Sequence, residues 1–122
     1  MIVDFDNECT GFFRKIPSYG AFYGYKALAG HKLFARLLIP ADAERLANCS
    51  GECRANYTIV DEILDRNGDP VNEVGYSLYD VNFEYRKGKT VIPSDYDSHL
   101  NHPNGAGIHF FLTFEEAVNY GI

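Results

Sequence analysis

The sequence lacks several features that would place it at once in a large class of proteins. It has no concentrated basic region: its 11 Lys and Arg are scattered among 17 Asp and Glu, and the net charge is −6. Binding to nucleic acid backbones or anionic membranes needs a clustered basic surface. The composition therefore argues against long nucleic acids and membranes as partners, although two or three arginines would suffice for a small anionic ligand.

Long hydrophobic runs and export signals are also missing. No apolar stretch approaches the ~18 residues of a membrane-spanning helix, and the first residues lack the basic and apolar regions of a signal peptide. We therefore expect a cytoplasmic protein. The cysteines, Cys9, Cys49 and Cys53, are odd in number, so we expect reduced thiols and no disulfide framework.

What is present is the composition of a folded domain that is rich in aromatic residues. The 122 residues are 46% hydrophobic and 15% aromatic, with nine Tyr and nine Phe. A chain of this length supports one hydrophobic core. We expect a single domain over residues 1–122, with an N-terminal arm or strand over residues 1–18.

Several segments have the pattern of short strands. The aromatic, glycine-rich run of residues 19–28 is typical of a strand whose backbone is closely approached by another element. Residues 32–39 are almost continuously apolar, which predicts a buried, central strand. Residues 54–64 predict a bulged strand, and residues 90–92 and 107–112 predict shorter ones.

Two segments predict helices. Pro40 precedes acidic residues and good helix formers, which favours a short helix ending near Asn48. Thr113 and Glu116 have the spacing of a capping box, which predicts a C-terminal helix over residues 114–120. Together the elements predict an α+β fold: a curved, mainly antiparallel sheet of about five or six strands, the short helix, and the C-terminal helix packed across one face.

Loops and turns complete this interpretation. The Asn67–Gly68 pair predicts a tight hairpin turn, because both residues accept positive φ angles. Residues 86–89 predict a second turn. Residues 93–106 are rich in turn formers and predict a long surface loop, a kind of segment that often carries function.

Several segments together resemble a known family. They are Phe22–Lys26, Leu37–Ala43, Cys53–Ala55, Tyr79–Asp80, Phe83–Tyr85, Gly107–Phe111 and Glu115–Ala117. In order and spacing they are similar, over residues 19–121, to the uncharacterised domain that accompanies pentapeptide repeats in bacterial, phage and large-virus proteins. The repeats are absent here. The resemblance implies a domain standing alone, as in accessory proteins of phages and mobile elements, some of which sequester nucleotide signals.

Aromatic and cationic side chains supply the parts of a nucleotide site. A tyrosine ring can stack on a base, and an arginine fork suits a phosphate. The candidate ligand-binding residues are Tyr25, Lys26, Arg54, Tyr79 and His109, of which Arg54, Tyr25 and His109 are expected to line one cleft. We therefore expect a non-enzymatic domain that binds a nucleotide-like small molecule without a cofactor. A homo-oligomer is an open alternative to a monomer.

Cysteine and histidine chemistry offers less specific alternatives. Cys49 and Cys53 with His99 and His102 could complete a zinc tetrahedron, but the spacing within each pair is loose. Cys53 could act as a nucleophile if His109 lay beside it as a base. Buried thiols and solvated loop histidines explain the same residues, so we expect no bound metal.

Two further functions stay open. The end of the chain is weakly similar to the strand-then-helix segment of ADP-ribosyltransferase-like domains, in which Tyr25, His109, Glu116 and Tyr120 would flank a nicotinamide cleft. The capping box already accounts for Glu116 without catalysis. A protein-interaction module, recognised by an exposed apolar face, is the remaining alternative.

Overall fold

The computed structural model describes residues 20–47, 52–78, 82–93 and 108–120. The strands and the helix in these ranges are β1 (Phe22–Ala27), β2 (Phe34–Ile39), β3 (Arg45–Ala47), β4 (Glu52–Ala55), β5 (Thr58–Leu64), β6 (Gly75–Tyr76), β7 (Glu84–Tyr85), β8 (Thr90–Val91), β9 (Ile108–Phe111) and α1 (Phe114–Asn119). The predicted arm over residues 1–18 lies outside the described residues, as does the predicted loop after Pro93.

Seven of the strands form one antiparallel sheet. Their order is β3-β4-β9-β1-β2-β5-β8, and β6 pairs with β7 in a separate two-stranded sheet. The predicted α+β fold with a curled, mainly antiparallel sheet is confirmed. The sheet has more strands than expected for two reasons: the segment 54–64 belongs to two strands, β4 and β5, and β3 stands where a helix was predicted.

The short helix predicted from Pro40 was wrong. The amide of Ala43 donates to the carbonyl of Pro40 in a turn, and β3 then pairs with β4. The cause is the buried side chain of Arg45, whose guanidinium donates to the carbonyls of Pro40 (2.6 Å), Ala41 (3.1 Å), Ala43 (3.0 Å) and Gly20 (2.6 Å). Burial lowers the pKa of Arg45. In a helix the carbonyls of Pro40, Ala41 and Ala43 would accept from backbone amides of the helix itself. Because they accept from Arg45, the segment forms a turn.

The sheet has two faces of different composition, because successive side chains of a strand point to opposite sides. The core face carries the larger apolar cluster. Its largest fully buried members are Leu28, Leu37, Ile39, Val60, Ile63, Tyr85, Val91 and Phe110. The opposite face, called here the helix face, carries a smaller cluster in which Ala27, Phe34 and Leu64 pack with Ala117 of α1.

The close approach predicted for the first aromatic strand is confirmed at Gly24. A Cβ atom at this position would lie 2.3 Å from Cδ2 of Phe110. The ring of Phe110 therefore lies on the backbone of β1, where any side chain would displace it. Beside this contact, Tyr25 of β1 pairs with Phe111 of β9.

The C-terminal helix begins as predicted. The hydroxyl of Thr113 accepts from the amide of Glu116 at 3.2 Å and donates to its carboxylate at 2.9 Å. Thr113 is thereby confirmed as the N-cap, with Glu116 as its partner. In the described part of the chain no helix is long and apolar enough to cross a membrane.

The Gly24→Ala substitution tests the packing of β9 on β1. We expect it to lower the free energy of unfolding by about 1–3 kcal/mol, because the new methyl group overlaps the Phe110 ring. Urea denaturation would measure the change. A double variant with Phe110→Leu should lose less than the two single losses added together. Full additivity would contradict a direct contact.

The Thr58→Val substitution tests a buried hydroxyl. Thr58 is fully buried, and its Oγ1 has no hydrogen-bond partner among the residues that the structure describes. A methyl group in the same position removes an unsatisfied polar atom, so we expect a gain of about 1 kcal/mol in the free energy of unfolding. Thermal denaturation would show the gain as a higher Tm. A lower Tm would mean that the hydroxyl is satisfied in solution.

Candidate functional site

The structure places the predicted site residues on both faces of the sheet. Tyr25 lies on the helix face, where its ring meets the edge of Phe114 at 6.0 Å between centroids. Lys26 is on the core face: its Nζ donates to the carbonyl of His109 at 3.0 Å and lies 6.0 Å from the ring centre of Tyr85. Lys26 thus ties β9 to β1 and packs with the core. Tyr79 lies outside the described residues.

Arg54 and His109 are brought together by strand pairing. They are directly opposite each other in β4 and β9. Cys53 and Ala55 belong to the core cluster, so Arg54 between them lies on the helix face. Arg54 is 4% exposed, and His109 is half-buried. Their role as ligand contacts stays a prediction.

A second group of polar and aromatic residues lies on the helix face. Tyr23 is 49% exposed, and the Cζ atom of Arg36 lies 5.5 Å from the centre of its ring. Arg36 is also directly opposite Tyr25 in the pairing of β1 with β2. We call the four residues Tyr23, Tyr25, Arg36 and Asp61 the Tyr–Arg strip.

Asp61 holds the guanidinium of Arg36 in place. Both Nε and Nη2 of Arg36 lie 2.7 Å from Oδ2 of Asp61. This hydrogen bond is the main cause of a raised pKa of Arg36. The two side chains are 33% and 31% exposed, so a ligand can reach the pair from solvent. A guanidinium that is fixed beside an aromatic ring can bind a planar group with little loss of side-chain entropy.

A β-bulge creates this arrangement. Arg36 pairs with Glu62, but the next residue, Leu37, pairs with Val60, so Asp61 is the extra residue of β5. The bulge places Asp61 and Glu62 beside Arg36. Glu62 in turn accepts from Nζ of Lys87 at 3.1 Å.

The two groups on the helix face are separate. In the sheet order Arg54 lies three strands from Arg36, which is roughly 14 Å at the usual strand spacing. Sequence reasoning selected Tyr25 and missed Arg36 and Asp61 as site residues. The sequence does contain a signal for Arg36 as a site residue, because it is the one charged residue within the apolar run of β2.

The metal and nucleophile hypotheses find no support in the described ranges. Cys53 is a buried thiol on the core face, 1% exposed, where apolar neighbours disfavour the reactive thiolate. No group of three potential ligands among His, Cys, Asp and Glu is found in residues 20–47, 52–78, 82–93 and 108–120. Cys49, His99 and His102 lie outside these ranges.

The Arg54→Ala substitution separates a structural from a ligand-binding role. Because Arg54 is buried between β3 and β9, we expect a loss of about 1–3 kcal/mol in the free energy of unfolding from lost packing and hydrogen bonding. Urea denaturation would measure this loss. The control is Arg86→Ala, at an exposed arginine paired with Glu84, which should not alter stability measurably. Unchanged stability with weakened ligand binding would instead make Arg54 a ligand contact.

The chain is similar to a viral protein and matches one family model. An uncharacterised protein of Acanthamoeba polyphaga mimivirus is 40% identical over 70 residues, which is 55% of this chain and 44% of the viral protein. The match thus spans less than half the length of that relative. No solved structure matches the chain significantly. The predicted resemblance to an uncharacterised domain of large-virus type is confirmed. Residues 12–117 match the family of unknown function DUF5758, and the chain therefore belongs to that family.

Proposed function

We propose that this domain binds a planar, nucleotide-like small molecule at the Tyr–Arg strip and carries out no chemistry on it. The observation that supports this proposal most directly is the position of the Arg36 guanidinium. Its Cζ atom lies 5.5 Å from the ring centre of the half-exposed Tyr23. The guanidinium lies over one face of this ring, so a base would stack on the other face. Stacking on an aromatic side chain and a fixed planar donor are two interactions that favour nucleotides.

The ring and the guanidinium are held before a ligand arrives, which supports the proposal. Asp61 fixes Arg36 through two contacts of 2.7 Å, and the pairing of β1 with β2 fixes the backbone beneath both residues. Preorganised groups lose little entropy on binding. Tyr25 and its contact with Phe114 form the boundary between the strip and the apolar cluster under α1.

A wider role extends this proposal. In it the domain is an accessory protein of phage or viral type that sequesters its ligand in the cytoplasm, alone or as a homo-oligomer. The viral relative is consistent with such an origin, although it is itself uncharacterised. An association with pentapeptide repeats elsewhere in the family belongs to the same proposal.

The ADP-ribosyltransferase-like alternative has less structural support. Tyr25 and His109 do share the helix face. However, the carboxylate of Glu116 accepts from the hydroxyl of Thr113, and the ring of Tyr120 packs on Phe111 at 5.3 Å. Both side chains have roles in holding α1. The binding function is therefore the better supported of the two.

The Tyr23→Ala substitution tests the proposal against a closely matched control. Calorimetric titration of the purified protein with a panel of purine and pyrimidine nucleotides should identify at least one ligand. We expect Tyr23→Ala to weaken its binding about tenfold or more, because stacking on an aromatic ring contributes roughly 1–3 kcal/mol per base. Arg36→Ala should also weaken binding.

The controls are Tyr76→Ala and Arg86→Ala. Tyr76 is 42% exposed, close to the 49% of Tyr23, and Arg86 is paired with a carboxylate as Arg36 is. Neither substitution should change the affinity. Absence of binding by every nucleotide would contradict the proposal. Self-association that Tyr23→Ala abolishes would then identify the strip as a protein-interaction surface.

A further inference from the structure

The guanidinium of Arg36 has one edge occupied by Asp61 and one edge open. Nε and Nη2 both lie 2.7 Å from Oδ2 of Asp61, so the carboxylate occupies the edge that these two nitrogens share. Because a guanidinium is planar and its N–H groups form a fixed fork, Nη1 lies on the side away from Asp61. The edge between Nη1 and Nη2 presents two parallel N–H groups. Within the described ranges these two N–H groups have no partner, and the side chain is 33% exposed.

We infer that this open edge of Arg36 binds a phosphate of the ligand whose base stacks on Tyr23. The inference rests on the proposed function and specifies which part of the nucleotide Arg36 binds. Asp61 is a positioning residue in this arrangement. It holds the guanidinium by one edge, which determines the edge that the ligand meets.

Two parallel donors fit two oxygens of one phosphate, and such a bidentate contact is stronger than a single neutral hydrogen bond. A guanine base also carries two adjacent acceptors, O6 and N7, that fit an arginine fork. The position of Tyr23 decides between these two partners.

The ring of Tyr23 separates the stacked base from Arg36. The Cζ atom of Arg36 lies 5.5 Å from the ring centre on one face. A base stacked on the other face has its centre about 4.5 Å or more from the same point, which places it roughly 10 Å from Cζ. Direct hydrogen bonds do not reach that far. A ribose and its phosphates extend from the base and can bridge this distance, so the phosphate is the part that meets Arg36.

The carboxylate of Asp61 does not prevent this contact. The two edges of a guanidinium face directions about 120° apart, so a phosphate bound at the open edge lies roughly 4 Å from Cζ and roughly 6 Å from Oδ2. Since the Coulomb energy falls with distance, attraction to Arg36 exceeds repulsion by Asp61 by a factor of about 1.5. The next carboxylate, Glu62, is balanced by Lys87 at 3.1 Å.

Comparison of nucleosides with their phosphates tests the inference in the unchanged protein. Adenosine, guanosine, cytidine and uridine, and the mono-, di- and triphosphate of each, would be titrated into the full chain by calorimetry. We expect at least one nucleotide to bind, and its nucleoside to bind at least about tenfold more weakly, because the nucleoside lacks the charge-assisted contact to Arg36.

The Arg36→Lys substitution supplies the second arm. Lysine keeps the positive charge and can still pair with Asp61, but it has no planar fork. We expect nucleotide affinity to fall about tenfold and nucleoside affinity to stay unchanged. Arg86→Lys, at an exposed arginine that is also paired with a carboxylate, is the matched control and should change neither affinity. Thermal denaturation would show whether both variants fold, and the comparison in the unchanged protein does not depend on them.

The outcomes separate this inference from the proposed function. A nucleoside that binds within about threefold of its tightest nucleotide would overturn the inference and leave the proposed function intact. An Arg36→Lys variant that folds and weakens nucleoside and nucleotide equally would do the same, because Arg36 would then act on the base or on the ring of Tyr23. Absence of binding by all nucleosides and nucleotides would overturn both.

Discussion

The contact between Phe110 and the backbone of β1 at Gly24 holds the two halves of the sheet together. β9 enters the sheet between β4 and β1, far from both in sequence, and within the described ranges its ladder with β1 pairs one position, Tyr25 with Phe111. So short a ladder gives little hydrogen bonding, and side-chain packing must supply the rest. Phe110 does so on the core face, and Lys26 adds a bond to the carbonyl of His109. The positions of β4, β3 and α1 all follow from β9.

Local sequence signals predicted the elements that depend on neighbouring residues. The apolar run of residues 32–39 forms β2, and α1 begins after the N-cap Thr113. The turn at Gly68 has the expected positive φ of 86°, although Asn67 does not share it, and the carboxylate of Asp65 accepts from the amides of Asn67 and Asp69. These features are determined within a few residues, so a single sequence suffices to predict them.

Elements that depend on distant contacts escaped prediction. The sequence after Pro40 has good helix signals, but Arg45 binds the carbonyl of Gly20, which is 25 residues away, together with those of the intervening turn. Neither the hydrophobic periodicity nor the helix propensity of a segment reflects such a long-range contact. The same holds for the candidate site. Strand alternation separates Lys26 from Tyr25, and the bulge expected within residues 54–64 has a position, at Asp61 beside Arg36, that depends on how β5 pairs with β2.

The shortness of α1 explains why the Tyr–Arg strip is accessible. A helix of six residues is roughly 9 Å long, and it covers the apolar residues Ala27, Phe34 and Leu64 on its face of the sheet. β1, β2 and β5 continue past this cluster, so their next side chains on the same face lie nearer to solvent. A half-buried arginine without a partner would destabilise the sheet through the loss of hydration of its charge. The bulge offsets this loss because it places Asp61 beside Arg36. The polar strip is therefore a consequence of how far the helix reaches, and a ligand that binds there needs no movement of the core.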